Sequence, residues 1–370
     1  IGLWVGMDLT PNTLLSAKEN IERIKEGETV HRGNPMQIFH CPFCGKDFDI
    51  GDYKIEKTLK IKCPNADWFF YNGLPVYLID EDIYNKRPTL ILSTIDKFAR
   101  IVWEEKTVAI FGSDGNTEPP ELIIQDELHL ISGPLGSISG LYEMAIDELC
   151  TKNGSRPKII ACTATIRNAE RQIKSLYNRD SFQFPPQGVD IKDSFFAVYA
   201  DRNSKPARRY MGICDTGGSL LDILVHVYGC LLFAVKYLEG LGVDKDVIDQ
   251  YFTIVGYFNA LKDLGSSATI ITDRVESYGN SLRVHKFKNI AESVKMEKIS
   301  IYSCNELTSR KSSKEIKDTL EEIEIKYPDE RAYSYLLASN MLSVGIDIGR
   351  LGVMTVYGQP KTTAEYIQAT

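Results

Sequence analysis

Short runs of apolar residues alternate along the chain with segments of helical length. This alternation is typical of a parallel sheet that is covered by helices. We predict strands at residues 1–5, 89–93, 121–125, 158–162, 251–256, 333–338 and 352–357. The pattern therefore predicts an α/β fold, in which ligands bind at the carboxyl ends of the strands.

Two segments of the chain suggest its domain organisation. Residues 199–209 are polar and basic and include Pro206, as in a linker. We therefore predict a first lobe over residues 1–200 and a second lobe over residues 201–370. Residues 34–82 contain three cysteines and are predicted to be an insertion in the first lobe.

Composition and charge narrow the class of protein. The 370 residues are 43% hydrophobic and 25% charged, which excludes disordered, collagen-like and coiled-coil chains. The net charge of −7 implies that any nucleic acid is held by a local groove. Of the eight cysteines, three lie between Cys41 and Cys63 and the others are scattered, which predicts a reducing, cytoplasmic setting rather than a disulfide framework.

The most apolar stretch, residues 220–235, is interrupted by Asp222 and His226. It is too short and too polar for a bilayer span, so we predict a buried helix with a core histidine and no membrane contact. The chain opens with Ile1 in a strand-like run and has no initial Met, so we expect it to be part of a longer protein.

The first candidate site follows the predicted strand at 121–125. In LIIQDELH (122–129), two adjacent carboxylates, Asp126 and Glu127, lie in the turn after an apolar strand. Phosphoryl-transfer enzymes hold Mg²⁺ with an aspartate at such a position, and a neighbouring residue orients the attacking water. We therefore predict that Asp126 binds Mg²⁺ and that Glu127 acts on the water. The alternative is a solvated acidic turn.

Two further strands end in hydrogen-bonding groups. KIIACTAT (158–165) ends in the hydroxyls of Thr163 and Thr165, which could bridge two ligands. LLASNMLSVGIDI (336–348) carries Ser339 and Asn340 at a strand end, a turn glycine and Asp347. Either segment alone could be an ordinary turn, but each lies where an α/β sheet binds ligands.

These three segments resemble motifs II, III and V of superfamily 2 helicases of the DExH type. The DELH, TAT and ASNMLSVGID sequences occur in the family's order, and His129 completes the D-E-x-H pattern. GMDLTP (6–11), STIDKF (93–98) and IVGYFN (254–259) occupy the places of motifs Ia, Ib and IV. The wording is most similar to the helicase subunits of DISARM anti-phage systems, over nearly the whole chain.

This resemblance implies two RecA-like lobes, the first with a small zinc-ribbon-like insertion, and both incomplete in this chain. It also implies ATP and Mg²⁺ as cofactors and nucleic acid as the partner, with DNA favoured over RNA. The implied catalytic residues are Asp126, Glu127, His129 and Gln368, the last as the start of motif VI. The implied nucleotide contacts include Gly345 and Asp347, and the implied nucleic-acid contacts are Thr10, Thr94, Thr163, Thr165, Ser339 and Asn340.

The chain departs from the family in two respects. No G-x-x-x-x-G-K-[ST] sequence occurs, and the chain stops at Thr370 before the arginines of motif VI. Without these groups, the usual stabilisation of the transferring phosphoryl group is absent. We therefore expect this chain alone to be inactive, and the activity to belong to a longer parent. The alternative is a pseudo-helicase that serves as a nucleic-acid-binding scaffold. Other defence-system subunits are possible partners.

The cysteine cluster predicts a zinc site. HCPFCG (40–45) has the form of a zinc knuckle, and CPN (63–65) opens a second one. The second knuckle would have its other cysteine near position 68, where this chain has Trp68. We therefore expect the fourth ligand to come from His31, His40 or Asp67. The alternative is a degenerate ribbon held by aromatic residues, without metal.

One basic segment outside these motifs could also contact phosphate. LTSRKSS (307–313) combines hydroxyls and bases, including Ser309 and Arg310, before a predicted helix. A second strip, RVHKFK (283–288), is predicted to be an exposed strand edge that could contact phosphate through His285.

Overall fold

The computed structural model describes residues 1–370 except positions 68, 114, 116, 132, 164–167, 187, 191, 194, 202, 205, 206, 340, 342–347, 361 and 370. The side chains at positions 133, 134, 313, 364 and 368 are also outside this description. The chain divides into two compact units, Ile1–Phe184 and Pro185–Thr370. The predicted division at residue 200 lies C-terminal to the observed one.

The described part of the first unit is a mixed α/β domain. Its strands are β1 Gly2–Trp4, β2 Tyr53–Ile55, β3 Leu59–Ile61, β4 Ile91–Ser93, β5 Leu122–Gln125 and β6 Lys158–Ala161. Its α-helices are α1 Leu14–Lys25, α2 Asp80–Lys86, α3 Gly133–Cys150 and α4 Ala169–Tyr177. Short 3-10 helices occur at Ile50–Asp52, Ile95–Val102, Glu105–Ala109 and Leu128–Leu130.

The strands of the first unit pair two by two. Strand β1 pairs in parallel with β4, and β5 pairs in parallel with β6. The four strands predicted for this unit are thus confirmed, each somewhat shorter than predicted. The antiparallel hairpin of β2 and β3 within the insertion was not predicted, because its strands are short and rich in lysine.

The second unit contains one parallel sheet. Its strands are β7 Ile254–Phe258, β8 Cys304–Leu307, β9 Tyr335–Ala338 and β10 Val353–Tyr357, in the spatial order β10-β7-β9-β8. Its α-helices are α5 Leu220–Gly240, α6 Lys245–Phe252, α7 Leu261–Ile270, α8 Glu276–Ser281, α9 Lys288–Ser293, α10 Ser313–Glu322 and α11 Thr363–Ala369. π-Helical turns lie at Ile271–Val275 and Leu282–Lys286.

The two central strands of the second-unit sheet are fully buried. Every residue of β7 and β9 is buried, as continuous apolar strands in a covered parallel sheet should be. Helix α5 packs closely on β7, where a Cβ added at Gly256 would lie 2.5 Å from the Tyr228 hydroxyl oxygen. That hydroxyl is 2.7 Å from Thr355 Oγ1 on β10. A glycine in β7 therefore permits a buried polar link between helix and sheet.

Two predictions for the second unit are wrong in detail. The strand predicted at 251–256 begins at Ile254, because Tyr251 and Phe252 complete helix α6. The strip at 283–288 is helical rather than a strand edge, since Leu282–Lys286 continues α8 as a π-helical turn.

Among the described residues, helix α5 is long and apolar enough to cross a membrane by length and composition alone. As predicted, one of its faces is buried: Leu224, Val225 and Tyr228 lie in the main core of the second unit. His226 is exposed, which corrects the prediction of a core histidine, and its ring centroid lies 4.5 Å from that of Tyr278. The buried stripe of a helix recurs every three to four residues, so position 226 falls outside it.

Candidate functional site

The parallel pairing of β5 and β6 brings two of the predicted segments together. Gln125 is in register with Ala161, at the carboxyl ends of both strands. Beyond that pair, the Cys162 N–H donates to the Gln125 carbonyl at 2.8 Å, and the Leu128 N–H donates to the Cys162 carbonyl at 3.0 Å. The DELH turn is therefore tied directly to the segment that follows β6.

The two carboxylates of the turn differ in conformation. Asp126 is exposed, and its Oδ1 accepts a hydrogen bond of 2.9 Å from the backbone N–H of Glu127. Glu127 adopts the left-handed conformation, with φ 48° and ψ 46°. Such a conformation is uncommon for a residue with a long side chain and costs of order 1–3 kcal/mol. Strained residues of this kind concentrate at functional sites, where the surrounding structure holds them.

His129 joins the DELH turn to the TAT segment. Its Nδ1 lies 3.2 Å from Glu127 Oε2 and 3.3 Å from Thr163 Oγ1. The histidine side chain is 9% exposed, whereas that of Glu127 is 33% exposed. The imidazole can thus orient the carboxylate from its buried side while the carboxylate remains accessible to solvent. Thr165, the other predicted hydroxyl, lies outside the described residues.

Helix α4 contacts this turn through apolar packing and side-chain hydrogen bonds. Leu128 is buried against Leu176 and Tyr177. The Gln172 side-chain amide donates to the carbonyls of Leu128 and Ile131 at 3.0 and 2.7 Å. Gln172 fixes the turn and was missed by the sequence analysis, since a glutamine on an amphipathic helix carries no local signal of such a role.

The two predicted nucleic-acid contacts Thr94 and Thr10 in the first unit differ in their exposure to solvent. Thr94 is exposed directly after β4. Thr10 is fully buried, and its hydroxyl has no hydrogen-bond partner among the described residues. The backbone folds back at this point, because the Thr10 N–H donates to the Gly6 carbonyl at 3.2 Å. In this conformation the Thr10 side chain is not accessible to a nucleic-acid strand.

In the second unit, Ser309 and Arg310 lie just before α10, as predicted, and both are exposed. The Arg310 guanidinium donates to the Leu261 carbonyl at 3.2 Å, and Ser312 caps the helix in a capping box with Glu315. Ser339 is buried at the end of β9. Asn340, Gly345 and Asp347 lie outside the described residues, and Gln368 lies in α11 with its side chain outside the description.

The three cysteines of the insertion converge. The sulfurs of Cys41, Cys44 and Cys63 lie within 4.8 Å of one another, with 3.5 Å between those of Cys44 and Cys63. A tetrahedral zinc ion with Zn–S bonds of about 2.3 Å holds its sulfurs about 3.8 Å apart. The Gly45 N–H donates to the Cys41 carbonyl at 2.9 Å, which forms the tight turn of a knuckle. The three sulfurs fit three of the four positions of a tetrahedral zinc site.

The electrostatics of the cluster favour a thiolate at one cysteine, whereas burial raises the pKa of the Cys63 thiol. Burial raises the pKa of the Cys41 thiol, but hydrogen bonds from the backbone N–H groups of Cys44 and Phe43 outweigh it and bring this pKa below its usual value. Thiolate is the form that binds metal. The structure thus favours ionisation at the first cysteine of the knuckle.

The expected fourth ligand is not in place. Among the described residues, the 4.8 Å group contains only the three cysteines, so His31, His40 and Asp67 are not part of it. The His40 ring instead pairs with Asp47, at 2.5 Å between Nδ1 and Oδ1. The prediction failed here because sequence proximity does not tell which way a neighbouring histidine turns.

Comparisons with known proteins agree with the sequence motifs. The helicase conserved C-terminal domain family matches residues 261–370. The DISARM protein DrmA of Bacillus paralicheniformis is 39% identical over the whole of this chain. The chain spans 36% of the length of that relative.

Solved structures of helicases are also similar to the whole chain. The DUF1998 helicase MrfA bound to DNA and AMPPNP has a TM-score of 0.45 and 16% identity, and 39% of its chain is covered. S. cerevisiae Dbp5 bound to RNA and ADP BeF3 has a TM-score of 0.40 and 13% identity, and 66% of its chain is covered.

Proposed function

We propose that this chain belongs to the superfamily 2 helicases and forms the core of an ATP-dependent helicase or translocase. The observation that carries the proposal is the joined turn of Asp126, Glu127, His129 and Thr163 at the ends of β5 and β6. A solvated acidic turn would need neither a left-handed glutamate nor a histidine, with a side chain only 9% exposed, beside it.

The residues of this turn have distinct roles in the proposal. ATP supplies the phosphoryl group, and Mg²⁺ neutralises the charge that develops on it. Asp126, which is exposed, would hold Mg²⁺. Glu127 would orient the attacking water and accept its proton. His129 would keep the Glu127 carboxylate in place and couple it to Thr163, and through Thr163 to bound nucleic acid.

The setting of this activity follows from the sequence resemblance. We propose that the nucleic acid is DNA, that the protein acts in cytoplasmic anti-phage defence, and that other defence subunits are its partners. The relationship to a DISARM protein over the whole of this chain supports the defence setting and the defence subunits as partners. Thr94, Ser309 and Arg310 are exposed and remain candidates for contacts with nucleic acid.

Zinc is the proposed structural metal of the insertion. Cys41 and Cys63 lie in one core cluster with Ala17 and Ile21 of α1. A metal bound by the three thiolates would therefore fix the insertion against the helix that follows the motif Ia segment.

The proposed mechanism is tested by Glu127→Gln in the full-length protein. This change keeps shape and hydrogen bonding but removes the base, so ATP hydrolysis should fall by about 10²- to 10⁴-fold. Binding of ATP and of nucleic acid should remain. Glu121→Gln removes an exposed carboxylate at the start of the same strand and serves as the matched control.

Two experimental outcomes would contradict the proposal that this protein hydrolyses ATP. Hydrolysis at the unmodified rate by Glu127→Gln would remove the proposed base. A full-length protein that binds nucleic acid but never hydrolyses ATP would be a scaffold instead.

A further inference from the structure

The second unit contains a cationic cavity that none of the helicase motifs uses. The cavity has a volume of about 410 Å³ and lies between the π-helical turn Leu282–Lys286 and helix α9. Three cations line it, Arg283, Lys288 and Lys295, with one acidic residue, Glu292. The remaining lining residues are Val284, Ala291 and Met296.

The charge around this cavity is opposite to that of the chain. Residues 283–298 contain more lysines and arginines than glutamates, whereas the whole chain has a net charge of −7. A local positive field in an acidic protein attracts anions to that place.

The cations of the cavity are incompletely neutralised. Lys288 Nζ lies 3.8 Å from Glu292 Oε1, and both side chains are more than half exposed, so their attraction is weak. Arg283 Nε is buried and has no hydrogen-bond partner among the described residues. The Arg283 side chain also lines the cavity, where its positive charge would attract a phosphate oxygen.

Lys295 occupies a position that usually belongs to glycine. Helix α9 ends in a Schellman motif, in which the Met296 N–H donates to the Ala291 carbonyl and the Lys295 N–H to the Glu292 carbonyl. Lys295 lies at the left-handed position of that motif, with φ 50°. Attraction to the helix C-terminus would account for Lys295 alone, but not for Arg283 and Lys288 around the same cavity.

The lining also indicates the kind of anion. None of the seven lining residues is aromatic, so a nucleotide base would find no ring on which to stack. The phosphate of a polynucleotide backbone needs only cations and donors. We propose that this cavity binds a backbone phosphate of nucleic acid, as a contact additional to the helicase motifs. The proposal rests on the nucleic-acid function proposed above.

The test compares variants of the full-length protein in binding to a labelled single-stranded oligonucleotide at several salt concentrations. Arg283→Glu combined with Lys288→Glu should lower affinity roughly tenfold at low salt for all sequences alike. The salt slope should also become shallower, by about 0.7 for each phosphate that the variant no longer neutralises. Lys326→Glu, an exposed position of the same unit outside the cavity, is the control.

A second variant separates binding from folding. Lys295→Gly relaxes the left-handed position, so it should maintain or raise the unfolding temperature while weakening oligonucleotide binding. Asn178→Gly relaxes an equivalent left-handed position, φ 49°, without removing a cation, and should leave binding unchanged.

The outcomes are distinguishable from those of the enzyme test. Unchanged affinity and salt slope in both cavity variants would overturn the proposal, even if ATP hydrolysis behaves as proposed. If inorganic pyrophosphate binds in the cavity but the oligonucleotide does not, the proposal is also overturned, in favour of a site for a free anion. Loss of hydrolysis in Glu127→Gln leaves the cavity contact unaffected, because that variant retains its binding.

Discussion

At the scale of residues, burial changes the behaviour of individual carboxyl groups. Glu143 lies on the inner face of α3 and is 4% exposed. Burial, with a smaller contribution from the nearby Asp147 carboxylate, raises the pKa of Glu143 to about 7. The Ser139 hydroxyl one turn earlier is also buried, without a hydrogen-bond partner among the described residues. The first unit thus contains an acid that titrates near neutral pH.

This residue predicts a pH-dependent stability. An unfolded glutamate has a pKa of about 4.3, so the folded state binds more protons between about pH 4.3 and pH 7. The stability that Glu143 contributes is complete below that range and is lost as the pH rises through 7. Glu143→Gln stays neutral, so its advantage in unfolding free energy over the natural protein should grow by roughly 2 kcal/mol from pH 5 to pH 8.

Thermal unfolding across this pH range measures the effect. Glu148→Gln changes an exposed carboxylate of the same helix and should show no such growth. Parallel pH profiles for Glu143→Gln and the natural protein would show that Glu143 is already ionised when folded.

At the scale of elements, the cysteines of the insertion lie within an apolar cluster that also includes helix α1. Its hairpin strands β2 and β3 have three residues each, and such a hairpin is marginal alone. Tyr53 and Ile61 of the hairpin share a cluster with Cys41 and Cys63. A metal at this point would link the knuckle, the hairpin and α1.

The proposed zinc site predicts how much zinc the purified protein carries and which substitution removes it. The purified protein should carry about one equivalent of zinc, and Cys44→Ser should lose it and unfold at a lower temperature, because metal binding is coupled to folding. Elemental analysis with thermal unfolding measures both. Cys214→Ser, an exposed cysteine outside the cluster, should change neither. Metal-free protein with undiminished stability would favour the ribbon without metal.

At the scale of the whole molecule, the net charge of −7 limits how the proposed nucleic-acid partner could bind. Contacts must come from local groups such as Arg310, which is exposed before α10. Arg310→Glu should lower affinity by a similar factor for all sequences, since phosphate contacts carry no sequence information. Titrations with several unrelated oligonucleotides measure this, again with Lys326→Glu as the control. A sequence preference that survives the change would contradict backbone binding.

Much of the architecture could be predicted because apolar runs are a local signal. All seven predicted strands occur, and helix α5 is buried along one face as expected. Strand β8 was missed because its residues Cys304, Asn305 and Glu306 are not an apolar run. It forms because β9 supplies its hydrogen-bond partners on one side. Pairing with a neighbour is a long-range property, which local composition does not encode.

The sequence by itself determined which chemical groups lie at strand ends: Asp126, Glu127 and Thr163 follow apolar runs, and that order is fixed by the chain. Only the tertiary structure decided how they meet. Parallel pairing of β5 and β6 places His129 between Glu127 and Thr163, although 34 residues separate the histidine from the threonine along the chain. The same distinction explains the burial of Thr10, because exposure depends on what the rest of the chain packs against a residue and not on the residue itself.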